Sequence, residues 1–119
     1  MHNFEKLLFW QKSISLAKNI YIISNEIKSD EKYGLISQMK RCSISIPSNI
    51  AEGSGRNSDK EFNHFLAISL GFAFELQTQL ILAKELHLLN EDKVNKLMLD
   101  LMEIQKMIYS FKSTLNFKP

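Results

Sequence analysis

Punctuation is what this chain has least of. Its 119 residues include two prolines, four glycines, one cysteine and one tryptophan. So few turn formers argue against a turn-rich β fold and for long helices. The lone Cys42 cannot close an intramolecular disulfide, which fits a reducing cytoplasm. A strong charge of either sign is also missing. Fifteen Lys and Arg stand against thirteen Asp and Glu, a net of +2 that does not by itself imply nucleic acid. No apolar leader opens the chain, because Glu5, Lys6 and Lys12 interrupt MHNFEKLLFWQKS and no small-residue cleavage site follows; secretion is not expected. The longest charge-free run, Phe62 to Phe74, is too short to span a bilayer and contains His64, so no membrane is expected either. What remains is ordinary for a globular protein, 45% apolar and 24% charged, at a length that suits a single domain over 1–119.

Within that frame the periodicity is helical throughout. A first helix is expected from about Phe4 to Ile27. Trp10, Ile14, Ala17 and Tyr21 recur on one face of it, and Leu16, Ile20, Ile23 and Ile27 on a neighbouring one. Ser29, Asp30 and Glu31 mark a polar turn. The second helix carries the stripe Leu35, Met39, Cys42, Ile46 and Ile50. Pro47 interrupts it, predicting a kink at which Ser43, Ser45 and Ser48 satisfy freed backbone groups, and Gly53 or Gly55 is the expected stop. Ser58 and Glu61 have capping-box spacing and open a third helix that ends near His87. Its stripe is Phe62, Phe65, Leu66, Ser69, Ala73, Leu76, Leu80 and Ala83. Asn90 caps the fourth, with Glu91 and Asp92 at the positive end of the dipole and a seam of Val94, Leu97, Leu101, Ile104, Ile108, Phe111 and Leu115. Residues from Asn116 to Pro119 are expected to fray. Short connections make this an all-α, antiparallel, up-down-up-down four-helix bundle.

The third helix has more apolar surface than one core stripe uses. Leu70, Phe74 and Ile81 form a second track, with Ile68 and Leu82 adding area, and the first helix is doubled in the same way. Burying each such side chain is worth about 1.5–3 kcal/mol. Several left in water are a solubility liability, so Leu70, Phe74 and Ile81 are read as an oligomer interface. The blander alternative is a wide core stripe with scattered exposed leucines.

Chemistry is sparse by comparison. A di-metal bundle site needs two Glu-x-x-His pairs, and the chain has one, Glu61 to His64, whose glutamate is already used in capping. His87 is read as a helix-dipole contact and His2 as part of a mobile start. Cys42 lies on an apolar stripe, where an inert buried thiol is the ordinary case. Gly53-Ser54-Gly55-Arg56 precedes a helix but has neither the preceding strand nor the Gly-Lys-Ser/Thr ending of a phosphate loop. No catalytic residue, cofactor or metal ligand is assigned, and no enzyme is expected. The basic residues Lys40, Arg41, Arg56 and Lys60 are candidates for one patch at an edge of the bundle, contacting phosphate or another subunit. Taken singly, Arg41 and Arg56 are each read first as an ion-pair partner for Glu52, Asp59 or a neighbouring subunit's acid.

One segment holds both arginines and the internal proline. Tyr33-Gly34-Leu35, Gln38, Lys40-Arg41, the run Ser45-Ile46-Pro47-Ser48-Asn49-Ile50-Ala51-Glu52-Gly53, and Gly55-Arg56 closely resemble the signature of the four-helix bundle proteins encoded in intervening sequences of bacterial 23S ribosomal RNA genes. Phe4, Leu7, Trp10-Gln11-Lys12, Ile20-Tyr21, Glu61-Phe62, Phe65-Leu66, Glu75-Leu76 and Gln79-Leu80 extend the resemblance over nearly the whole chain. Lys40, where arginine is frequent, and Cys42, at a small-residue position, depart from the pattern. The resemblance implies a ring-shaped homopentamer and no established enzymatic activity. It gives Asn49 and Glu52 structural roles at the kink and turn, and leaves Arg41 and Arg56 as ligand or subunit contacts. A fold relative, the accessory proteins of diversity-generating retroelements, is basic and binds nucleic acid and a reverse transcriptase. Two expectations follow: a cytoplasmic, non-enzymatic oligomer binding RNA or DNA weakly through phosphate contacts, or a scaffold for protein partners whose basic residues serve folding and assembly alone.

Overall fold

A computed structural model of the chain describes residues 2–27 and 32–117, with side chains from residue 34 onward in the second stretch. The polar turn expected at Ser29, Asp30 and Glu31 lies outside these residues. Among the described residues there are four α-helices and no strand: α1 Leu8–Ser24, α2 Ser37–Ser54, α3 Asp59–Glu85 and α4 Glu91–Lys112. Each helix packs on two others, α1 on α2 and α4, and α3 on α2 and α4.

The helix starts follow their capping chemistry. Ser58 accepts from the Glu61 backbone N–H at 3.2 Å, as expected, whereas the Glu61 carboxylate accepts from the Ser58 hydroxyl at 3.3 Å and not from its backbone N–H, so only half of the capping box forms. Asn90 accepts from the Lys93 N–H at 3.1 Å. The first helix begins later than expected. Asn3 caps a separate 3-10 turn, Phe4–Lys6, and Leu7 then adopts an extended backbone before α1 starts. A 2.8 Å bond from the Gln11 side chain to the Glu5 carbonyl joins turn to helix.

Helix ends fall where expected, at Gly55 and near His87, but the glycines and the histidine play other parts than expected. Gly55 caps α2 with φ −84°, an ordinary right-handed conformation. Gly53 is needed for another reason: a Cβ there would stand 2.6 Å from the Phe65 Cβ and 2.9 Å from Phe62 Cδ1. It lets α2 and α3 cross closely instead of stopping the helix. The left-handed residue that ends a helix is His87, at φ 57°. Leu88 N–H donates to Ala83 O and His87 N–H to Lys84 O, the double bond pattern that satisfies the last carbonyls of α3. His87 is therefore a backbone cap.

The core runs down the middle of all four helices. Leu16, Ile20 and Ile23 of α1, Met39, Cys42, Ile46 and Ile50 of α2, Leu66, Leu76 and Leu80 of α3, and Leu101, Ile104 and Ile108 of α4 are buried. Of the two tracks on α1, the one with Leu16 faces inward. In the other, Ala17 is buried, Trp10 half-buried, and Ile14 and Tyr21 exposed. Phe65, Phe111 and Leu115, expected in the core, are half-buried. α2 continues through Pro47. The hydroxyls of Ser43 and Ser45 bond the carbonyls of Lys40 and Arg41, a turn before the Ser43 carbonyl that Pro47 leaves free, and Ser48 is exposed. Asn49 instead donates to the Ser45 carbonyl at 2.8 Å, and Ser69 reaches across from α3 to the Ile46 carbonyl at 2.9 Å.

Both chain ends fasten on the start of α3. His2, expected to be mobile, lies 3.2 Å from Asp59 and stacks 4.8 Å from the Phe62 ring, and its backbone N–H donates to Ser54 O at 2.9 Å. The Asn116 N–H, expected to fray, donates to the other Asp59 oxygen at 3.1 Å. These two donors, Asn116 first, hold the Asp59 carboxyl below its ordinary pKa.

A candidate interface: basic residues and apolar grooves

The four candidate cations do not form one patch. Arg41 and Arg56 are fifteen positions apart on or just beyond α2, about 22 Å at 1.5 Å per residue. Arg41 donates to Gln38 at 2.7 Å, approaches Glu75 at 3.5 Å, and lies 6.0 Å from the Phe72 ring centre. Arg56 pairs with Glu52 at 2.6 Å and lies over Phe65 at 4.7 Å. Lys40 faces the other way, its ammonium 5.1 Å from the Tyr21 ring on α1. Lys60 is exposed at the start of α3, beside Asp59 and Glu61. Carboxylates thus interleave with every arginine. Glu75, the acid beside Arg41, was not foreseen, because its neighbourhood depends on how α2 and α3 meet.

Groups with catalytic potential are occupied with structure. Burial pushes the Cys42 thiol above its ordinary pKa, and Gln79 Nε2 donates to its sulfur at 3.4 Å. A raised, fully buried thiol is a poor nucleophile. The Glu61 carboxylate accepts from the Ser58 hydroxyl, His64 is exposed with its ring tilted against Phe65, and no group of three or more His, Cys, Asp and Glu able to hold a metal occurs among the described residues. Lys112 is drawn inward, donating to the Asn63 carbonyl and amide oxygens at 3.1 and 2.9 Å, and partial burial lowers its pKa.

Apolar surface is the more distinctive feature. Of the proposed interface residues, Phe74 and Ile81 are 55% and 42% exposed, while Leu70 is half-buried and packs on the core. Leu70 and Phe74 line a groove between α3 and α4 with Gln105, Tyr109 and Lys112. A second groove, between α1 and α2, is lined by Phe4, Trp10, Ile14, Ala17, Ile44, Pro47, Ser48 and Ala51, without a charged side chain. Ile44 is 45% exposed there and was missed, because it lies two positions from both Cys42 and Ile46, on the side of α2 opposite the stripe. By length and composition alone α3 is able to cross a membrane, which the short charge-free run did not suggest. Its inward face, from Phe62 to Ala83, is nevertheless buried in the bundle.

Four α-helices packed about one core, with no strand among the described residues, define a helical bundle. Residues 5–110 match the family of 23S rRNA-intervening sequence proteins, and the chain belongs to that family. A solved structure from Bacteroides thetaiotaomicron, described as a protein with unknown function from the S23 ribosomal protein family, is similar with a TM-score of 0.84. It is 25% identical, and the match covers 90% of this chain and all of that one. No curated protein matches the chain.

Proposed function

We propose that this chain is a non-enzymatic, cytoplasmic bundle of up-down-up-down course that assembles as a ring-like homo-oligomer and acts as a scaffold. Five copies is the number its family resemblance suggests. The pairing of Tyr21 with Lys40, and of Trp10 with Ala51 in one groove, supports antiparallel neighbours. The observation that carries the reading is the exposed apolar surface: Phe74, Ile81 and Leu82 on α3, with Ile14, Tyr21 and Ile44 on α1 and α2, stand at 39–55% exposure in one isolated chain. Covering them is the most direct way to keep the protein in solution. Light scattering at micromolar concentration tests it, with an oligomer expected and a stable single chain contrary to it.

Weak binding of RNA or DNA is the second reading. It draws on Lys40 and Lys60, and on exposed arginine pairs whose carboxylates a phosphate can replace. Interleaved acids favour the scaffold over it. Binding measured against salt separates the two: phosphate contacts predict steep loss of affinity as salt rises, and a pure scaffold predicts no binding even at low salt.

A further inference from the structure

We infer that the outward face of α3 around Gly71 and Phe74 is a ridge that seats in the α1/α2 groove of a second copy, so that copies join head to tail. This rests on the self-association reading above and adds which faces meet. Gly71 is the telling residue. It sits in the middle of a 27-residue helix with a negative φ, and a Cβ placed on it would meet nothing within 4 Å. Neither backbone conformation nor packing within the chain calls for glycine, which costs about 1 kcal/mol against alanine in a helix interior. Close approach of another backbone does call for it.

The surroundings of Gly71 have the same character. Ala67, one turn earlier, is exposed and small, and Phe74 and Leu82 follow at 55% and 47% exposure. Glu75 lies 3.5 Å from Arg41 on α2, and Lys106 and Lys112 of α4 border Phe74 on its other side. From Ala67 to Leu82 the ridge is about 22 Å long, and the uncharged groove, from Trp10 to Ala17 on α1 and from Ile44 to Ala51 on α2, is about 10 Å long and takes the part of it around Gly71 and Phe74. Because α3 and α4 pack on the far side of the bundle from the α1/α2 seam, ridge and groove point in different directions. A symmetric face-to-face dimer covers one of them and leaves the other wet; a head-to-tail contact covers both in every copy. A long side of the bundle, 47 × 24 Å, offers roughly 1,100 Å², above the ~800 Å² per partner of an ordinary stable interface.

The test uses two full-length variants changed at exposed positions, Phe74→Arg on the ridge and Ile44→Arg in the groove, each checked for folding by circular dichroism. Light scattering should find each variant alone as a single 13.8 kDa chain. Mixed in equal amounts, they should form a pair of chains and nothing larger, since one intact ridge and one intact groove remain. In a further variant, Gly71→Ala should weaken assembly about tenfold while leaving the helix intact. Persisting self-association of Ile44→Arg would indicate a symmetric α3 contact and overturn the head-to-tail assignment, leaving the scaffold reading in place. Single chains in the mixture, with an oligomeric wild type, would also overturn the assignment. A monomeric wild type, or one that moves onto neutral phospholipid vesicles instead of assembling, would remove both.

Discussion

Two glycines on neighbouring helices meet opposite circumstances. At Gly53, where α2 crosses α3, an added Cβ collides with Phe65 and Phe62; at Gly71, on the outward face of α3, it meets open space. The α2–α3 crossing is explained wholly by this chain's own packing. The outer face of α3 is not: among the described residues nothing stands within 4 Å of a Cβ at Gly71, and Phe74, Ile81 and Leu82 are 42–55% exposed. A residue choice that the fold does not require points to a requirement outside it.

The sharpest way to break this contrast is to truncate leucine on the two sides of α3. Leu76 is fully buried, and Leu76→Ala should destabilise the chain by about 2–5 kcal/mol in urea unfolding. Leu82 is 47% exposed, and Leu82→Ala should change stability of the dissociated chain by no more than about 0.5 kcal/mol. Equal losses would mean that the outer face is part of the core. Next, Gly53→Ala should cost about 1–3 kcal/mol, since the nearest contact is a Cβ anchored to the α3 backbone and the helices must move apart. The same change at Gly71, in the dissociated Phe74→Arg background, should raise stability by about 0.5–1 kcal/mol. An unchanged or lowered denaturation midpoint there would remove the basis for calling Gly71 unexplained.

The smallest effect concerns the clasp at the chain ends. Asp59 is held below its ordinary pKa by the Asn116 N–H and by His2. A depressed carboxyl contributes stability that is present above its unfolded value, near 3.9, and lost as pH falls through the lower folded value. Thermal melts below about pH 4 should therefore show a loss of stability that Asp59→Asn diminishes. An identical acid profile in the variant would show that the clasp carries no titrating contribution.

Much of the fold was legible because its signals are local. Ser58 with Glu61, and Asn90 before two acids, announce helix starts within four residues, and the stripes of α2 and α4 follow a period that packing left largely untouched. What could not be read depends on which neighbour a face meets. Both tracks of α1 have helical spacing, and only the docking of α2 and α4 selects Leu16, Ile20 and Ile23 over Ile14 and Tyr21. The steric need for Gly53, the left-handed turn at His87 and the fastening of His2 and Asn116 to Asp59 arise from contacts or conformations that composition does not encode. For the candidate interface, residue types were legible and groupings were not: Phe74 and Ile81 are exposed, whereas the cations divide into separate positions, the two arginines beside carboxylates and Lys40 over the Tyr21 ring.

The mass of the wild-type protein in solution, measured by light scattering from low to high micromolar concentration, bears most directly on the claim that its apolar surplus is covered by further copies. A closed multiple of the 13.8 kDa chain, five by family resemblance, is the expected result. A single chain that stays soluble across the whole range, with Phe74 and Ile44 in water, would contradict it.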